Sequence, residues 1–337
     1  MSRIALTRGQ FLLPFLLLLD ELGAPTQSLL AKYMLPRVLE SGVDDFVPIR
    51  NAIQFTDAAS RIQGIPDFGH LVACGATFDY LSERLRTQVI NSPTLYTALV
   101  TLCANAHLED TNLRMYLTYH GESIRLHSVL IGVRGLQGLQ YSQWLQIVLP
   151  IQVVREFVGP GWAPSTMAFE ADYRPTIYAM EAWPETRFLR AQLASWIDIP
   201  MQYVSLPPIR GIRTLHTMEP EKRNASGALL DSLKLMLPSY LGSKMPSVHE
   251  IAEMANTSVR NLQRMLSETG VSYRDILNTV KFERAATLLG RSDISITEIA
   301  RMLSYTDGAH FTRAFRRTAG ITPMQYRKSQ RTGIVEK

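Results

Sequence analysis

Two stretches in the last third of the chain repeat one template, and they restrict the fold more than any other feature. Residues 250–270 read EIAEMANTSVRNLQRMLSETG, and residues 298–320 read EIARMLSYTDGAHFTRAFRRTAG. The offset is 48 residues from Ala252 to Ala300 and 49 from Leu262 to Phe311, so the second copy has one more residue in its turn. Each copy predicts two helices joined tightly. The alanine of each first helix allows close approach of a partner. Asn256 and Ser304 fall where the turn favours left-handed backbone, which Asn tolerates better than Ser. Ser258 and Asp307 occupy N-cap positions of the second helices. In those helices Leu262, Met265 and Leu266 share one stripe, as do Phe311, Ala314 and Phe315. On the other side Arg260 corresponds to Ala309, Gln263 to Thr312, Arg264 to Arg313, and Ser267 to Arg316.

One face is therefore built for burial and the other for something polar. A duplicated helix-turn-helix has this layout, with the second helix of each unit offered to a major groove. Arg can pair with guanine and Gln with adenine through two hydrogen bonds, while Thr offers a hydroxyl and a methyl. Between the copies, Tyr273 to Leu289 carries Ile276, Leu277, Val280, Ala285 and Leu288 at helical spacing. Roughly 17 residues at 1.5 Å each make a rod of about 25 Å. Such a rod suits two helices held near one DNA turn, about 34 Å, apart.

Charge agrees with this assignment. The net charge of +5 is the balance of −3 over residues 1–221 and +8 over residues 222–337, which points the C-terminal part toward a polyanion. The 337-residue length suits about two domains. Residues 206–226, LPPIRGIRTLHTMEPEKRNAS, lack an apolar period and read as a linker. The expected fold is thus an α+β N-terminal domain over 1–205, a linker over 206–226, an all-α double helix-turn-helix over 227–329 and a tail over 330–337.

Within the first domain, residues 1–110 read as mostly helical, with a start signal at NSPT (91–94). LRMYLTYHGESIRLHSVLIGV (113–133) alternates around His120-Gly121-Glu122 and predicts a β-hairpin. A helix is expected from about Tyr141 to Phe157, closed by Gly159. Extended pieces near Met167–Phe169 and Trp196–Ile197 flank another helix starting near Pro175. FLLPFLLLL (11–19) imitates a signal peptide, but Pro14, the following Asp20-Glu21 and the missing A-x-A pattern oppose that reading. Nine apolar residues also fall short of the roughly 20 that span a bilayer. A buried first helix, a cytoplasmic protein and no membrane partner are expected. Cys74 and Cys103 are distant and lack CxxC spacing, so two reduced thiols are expected rather than a disulfide or zinc site. No GxSxG, HExxH, phosphate-loop or GxGxxG motif is present. No enzyme, cofactor or metal site is expected.

The segment from about 226 to 329 resembles the AraC/XylS type of bacterial transcription regulator. The resemblance is carried by IAEMANTSVRNLQRML, VKFERAATLL, ISITEIARML and HFTRAFRRTAGITPMQYR. It implies that the tail from Gly320 through Pro323 to Tyr326 and Arg327 forms a turn and closing helix behind the second unit. Two departures stand out, Ser304 where the family usually has Gly and Tyr305 where it has Phe. On this alignment the base-reading positions are Arg260, Gln263, Arg264, Gly308, Ala309, Thr312 and Arg313. The phosphate positions are Ser258, Ser267, Arg316, Arg317, Arg327 and Lys328, which place the protein without selecting sequence. Gly308 and Ala309 are short, so the first unit should carry more of the specificity.

Residues 1–205 do not read as a β-rich cupin-like domain. They are more similar to the arabinose-binding-like domain of ornithine-utilisation and virulence regulators, through the early LLLLDELGAP helix, SPTLYTAL and RFLRAQLASWIDIP. That resemblance implies small-molecule sensing or homodimerisation, without naming an effector. Weak candidates for its site are Arg84, Arg86, Tyr116 and Trp144, against the plainer reading of solvated arginines and core aromatics. The family tendency is activation by contact with RNA polymerase. The alternative is an effector-independent regulator whose N-terminal domain is a protein-interaction module.

Overall fold

The computed structural model describes residues 3–37, 45–210 and 228–332. The N-terminal region begins β1 (Leu6–Arg8), α1 (Gly9–Glu21), α2 (Thr26–Lys32), β2 (Phe46–Pro48), α3 (Ile49–Gln63), α4 (Phe68–Cys74), α5 (Glu83–Ile90) and α6 (Leu95–Asn105). It continues through β3 (Leu113–His120), β4 (Ser123–Leu130), α7 (Leu139–Val158), β5 (Thr166–Ala168), α8 (Ile177–Glu181), β6 (Arg187–Leu189) and β7 (Ser195–Pro200). The C-terminal region is helical: α9 (Ala228–Met236), α10 (Val248–Met254), α11 (Val259–Glu268), α12 (Tyr273–Arg291), α13 (Ile296–Met302), α14 (Gly308–Ala319) and α15 (Pro323–Thr332). The α+β followed by all-α architecture is the expected one. Among the described residues no helix is long and apolar enough to cross a membrane.

A five-stranded sheet of order β3-β4-β7-β5-β6 forms one layer of the N-terminal region, antiparallel except for the β5–β6 pair. The 113–133 hairpin closes as expected, with His120 opposite Ser123 and Gly121 at φ +57°. Against it lies α7, whose Trp144 is fully buried and donates Nε1–H to the Tyr173 hydroxyl at 3.2 Å. Gly69 lets α4 run directly onto α7; a Cβ there would lie 2.4 Å from the Tyr141 Cα. The start at NSPT is a capping box, in which Thr94 and Thr97 exchange side chain to backbone bonds.

Three features differ from expectation. Two short strands interrupt the helical first hundred residues and pair antiparallel, Thr7 opposite Val47 and Arg8 opposite Phe46. Both are buried throughout, so they show no polar alternation that a sequence could display. The first helix is only partly enclosed, because Leu17 on its outer side is 55% exposed. Finally, the ordered N-terminal region extends past 205. Leu206 accepts from the Leu95 N–H at 2.9 Å, and Ile209 donates to the Glu156 carbonyl at 2.9 Å. Of the expected linker, residues 211–226 lie outside the described residues, as do 333–337 of the expected tail.

The two regions touch through the β1–β2 ribbon. Ile4, Leu6 and Phe46 are buried in one core with Leu233, Met236 and Leu237, and with Ile251, Leu262, Leu266, Ile276 and Val280. The Ser239 hydroxyl accepts from the Phe46 N–H at 3.0 Å and donates to the Phe46 carbonyl at 2.7 Å. Tyr240 donates its hydroxyl to the Met34 carbonyl at 2.7 Å.

Candidate nucleic-acid interface

Both helix–turn–helix units form as their sequences dictate. In the first, Ser247 and Glu250 make a capping box at the start of α10, and Glu250 also accepts from Lys244 at 3.0 Å. These bonds, led by the Ser247 backbone N–H, hold the Glu250 carboxyl below its usual range. The turn passes through Asn256 at φ +49°. Ser258 then caps α11 by accepting from the Asn261 N–H at 3.2 Å. In the second unit the turn passes through Ser304 at φ +56°. Asp307 caps α14 by accepting from the His310 N–H at 2.6 Å. That bond is the main reason the Asp307 carboxyl titrates below its usual range.

Ser304 occupies a position that suits glycine, and its side chain has a use there. Its Oγ accepts from the Gly242 N–H at 3.2 Å and reaches the Ser243 carbonyl at 3.4 Å, tying the turn to the loop before α10. A glycine could make neither bond. The neighbouring Tyr305 lies under the Lys281 ammonium, 4.5 Å from the ring centroid, a cation–π geometry. Lys281 also donates to the Ser304 carbonyl at 3.3 Å. Burial pulls the Lys281 pKa down.

The apolar stripes close inward. Leu262 and Leu266 are buried in the first unit and Phe311 and Phe315 in the second, whereas Met265 and Ala314 are half-buried. Phe315 meets Phe282 at 5.1 Å and Tyr326 of α15 at 5.4 Å, so the closing helix stands behind α14 as expected. α12 joins the units and serves both: Ile276 and Val280 enter the first core, Ala285 and Leu289 the second. At 19 residues it is two longer than expected, about 28 Å at 1.5 Å per residue.

The polar stripes remain outside. Arg260, Gln263, Arg264 and Ser267 are exposed on α11, and Ala309, Arg313, Arg316 and Arg317 on α14. Ser258 and Lys328 are exposed as well. Arg264 is held along its own helix by Glu268 and by the side-chain oxygen Oδ1 of Asn261, the latter at 2.8 Å. Thr312 is half-buried and donates its hydroxyl to the Gly308 carbonyl at 2.8 Å. Gly308 is half-buried too. Arg327 departs from the expected outward role, since it is half-buried and donates to the Ile294 carbonyl. It braces the α12–α13 connection instead of pointing into solvent.

A groove of about 600 Å³ runs between α12 and α14. Arg274, Asn278, Lys281, His310, Arg313 and Arg317 line it. The sequence reading found Arg313 and Arg317 there but missed Arg274 and Lys281. Both lie on the connecting helix, read only as a spacer, although VKFERAATLL does show a lysine on the face away from its apolar stripe.

The four weak effector candidates are not brought together. Trp144 is packed among His70, Phe169 and Phe188 inside the N-terminal core. Arg86 on α5 pairs with Asp79, and Arg84 shares that helix. Tyr116 stacks flat on His127 across the hairpin, 4.6 Å between centroids. Trp144 is fully buried, as the plainer reading of a core aromatic expects.

Comparison with known proteins agrees with the helical geometry. Residues 251–329 match the family model described as a helix-turn-helix domain. The ornithine utilization regulator of Pseudomonas aeruginosa is 28% identical over 141 residues, covering 40% of this chain and 41% of that protein. The chain thus spans about two fifths of that relative's length. The HTH-type transcriptional regulator VirS of Mycobacterium tuberculosis is 23% identical over 326 residues, covering 92% of this chain and 93% of VirS. Among solved structures, the transcriptional regulator CdpR from Pseudomonas aeruginosa superposes with a TM-score of 0.41 at 16% identity, over 89% of this chain and 96% of CdpR. The two curated relatives are both named as regulators.

Proposed function

We propose that this protein regulates transcription by binding promoter DNA sequence-specifically, because residues 251–329 match a helix-turn-helix domain. α11 and α14 are its two recognition helices, set by α12 to enter successive major-groove segments on one side of the duplex. The observation that carries this reading is the pair of outward polar stripes on helices whose opposite stripes are buried. Arg260, Gln263 and Arg264 read bases from α11, with Ser258 and Ser267 beside the backbone. Arg313 and Thr312 are the reading groups of α14, where Gly308 and Ala309 allow close approach more than discrimination. Arg316, Arg317 and Lys328 contact phosphates, joined by Arg274 and Lys281 from the groove wall. The N-terminal region controls this binding in response to a small molecule. Activation through RNA polymerase is the mode that the resemblance favours.

The test is sequencing of fragmented genomic DNA retained by the full-length protein near physiological salt, since low salt inflates non-specific binding. Enrichment of a few promoters sharing two half-segments about one turn apart supports the reading. Retention equal to that of an Arg260→Ala/Arg264→Ala/Arg313→Ala variant, by the intact chain and by residues 222–337 alike, would sink the assignment of the reading face.

A further inference from the structure

The β1–β2 ribbon has two working sides. Successive side chains of a strand point to opposite faces. Leu6 and Phe46 enter the core of the first helix–turn–helix unit, while Val47 enters the core of the N-terminal region. Thr7, opposite Val47, borders a cavity of about 70 Å³ inside that region. Phe15, Leu85, Leu102, Met115 and Leu145 form much of its apolar wall, so α1, α5, α6, β3 and α7 all contribute. Thr7, Glu109 and Asp110 line it too, as do Thr56, Ser142 and Gln146.

The two carboxyls differ. Glu109 is satisfied, accepting from Arg8 at 3.1 Å and from the Ser82 N–H at 3.2 Å. Asp110 is 5% exposed, and its Oδ1 has no hydrogen-bond partner among the described residues. Burial pushes its pKa up to about 7, with Thr7 and Arg8 acting in the opposite sense. A buried acceptor left open in this way is costly unless something arrives to fill it. The volume exceeds the roughly 10–15 Å³ that one water needs. It is far below the roughly 300–1,000 Å³ of a drug-sized pocket. A slim molecule fits and a nucleotide-sized one does not. Arg8 offsets the charge of Glu109, so it is the open Asp110 carboxyl that disfavours an anionic head.

We propose that this cavity is the effector site, that it takes a short apolar molecule ending in one hydrogen-bond-donating group, an amine or an alcohol, received by Asp110, and that the β1–β2 ribbon carries occupancy to the first helix–turn–helix unit. The proposal rests on the reading of the N-terminal region as controlling DNA binding. A ligand against Thr7 pushes on a three-residue strand whose next side chain, Leu6, is packed against α9 to α12. Packed cores pass on such shifts because they do not deform continuously.

The experiment uses the full-length protein with hexylamine, hexan-1-ol and hexanoate. Calorimetry and the thermal midpoint report occupancy, and affinity for a retained promoter fragment reports the relay. Hexylamine and hexan-1-ol should bind and raise the midpoint, as any ligand selective for the folded state does; hexanoate should not. Asp110→Asn should weaken hexylamine at least tenfold and hexan-1-ol much less. Leu6→Ala should leave amine binding intact while removing its effect on DNA affinity. Ser239→Ala, which releases Phe46 from the other side, does the same should Leu6→Ala fail to fold. Equal binding of all three compounds, binding indifferent to Asp110→Asn, or no binding would overturn the site, whatever the DNA result. Specific amine binding that leaves wild-type DNA affinity unchanged would overturn the relay and the controlling role together, while the site would stand.

Discussion

In the first helix–turn–helix unit, α10 and α11 close over a core that reaches across to Ile4, Leu6 and Phe46. In the second, α13 and α14 close over Ala285, Leu289 and two neighbouring phenylalanines, and every residue of that core lies between Leu241 and Tyr326. The same template is thus anchored in two ways. The difference teaches that duplication of a sequence motif does not duplicate its environment. One copy is mechanically joined to the N-terminal region, while the other is joined to its connecting and closing helices and to the loop before α10. The polar faces divide along the same line, with long side chains on α11 and a glycine and an alanine opening α14.

The strongest way to break this comparison is to empty the second core. Phe311→Ala should cost about 3–5 kcal/mol, the usual range for a buried aromatic. Hydrogen exchange should then show lost protection in α13 and α14, with α10 and α11 kept. Equal loss in both units would show that the cores are not separate. Leu262→Ala in the first core should cost about 2–5 kcal/mol, and here the loss of protection should spread to β1 and β2. Protection of the ribbon left untouched would contradict the shared core.

A smaller effect concerns specificity. Arg260→Ala should lose about 1–3 kcal/mol on the best site and relax the base preference in its half-segment, as loss of a two-bond base contact does. Arg313→Ala should lose less, and more evenly across sequences. Selection of binding sites from random DNA checks both, and similar losses of specificity would erase the asymmetry. The smallest effect concerns the caps. Ser258→Ala should cost about 1 kcal/mol at any pH. Asp307→Ala should be damaging at neutral pH only. The Asp307 pKa is depressed by the fold, so its contribution is complete above the unfolded value near 4 and is lost as pH falls through the folded value. Unfolding of both variants from pH 7 to pH 3 distinguishes them; a parallel decline would refute the assignment.

The C-terminal half of this comparison was legible in the sequence because helices announce themselves through period, caps and turn residues. Leu262, Phe311, Ser258, Asp307, Asn256 and Ser304 all take the places that their spacing predicts. What could not be read was where one element meets another. Arg327 occupies an expected phosphate position, yet its reach is used up on the Ile294 carbonyl, a contact 33 residues away along the chain. β1 and β2 are three residues each and buried on both sides, so no periodicity marked them. The N-terminal hairpin was visible because one of its strands alternates between half-buried and buried positions. The cavity beside Thr7 was invisible, since its walls come from residues scattered over 1–150 that individually read as ordinary core. Asp110 carried no motif at all.

The Ser239 hydroxyl has a consequence for how such proteins can be recombined. By bonding both the N–H and the carbonyl of Phe46, it closes a strand edge belonging to the other end of the polypeptide. A hybrid that grafts a foreign helix-turn-helix domain onto this N-terminal region would need a hydroxyl at that place and a recess for Phe46. Domain shuffling between relatives should therefore succeed best where donor and acceptor already share this joint.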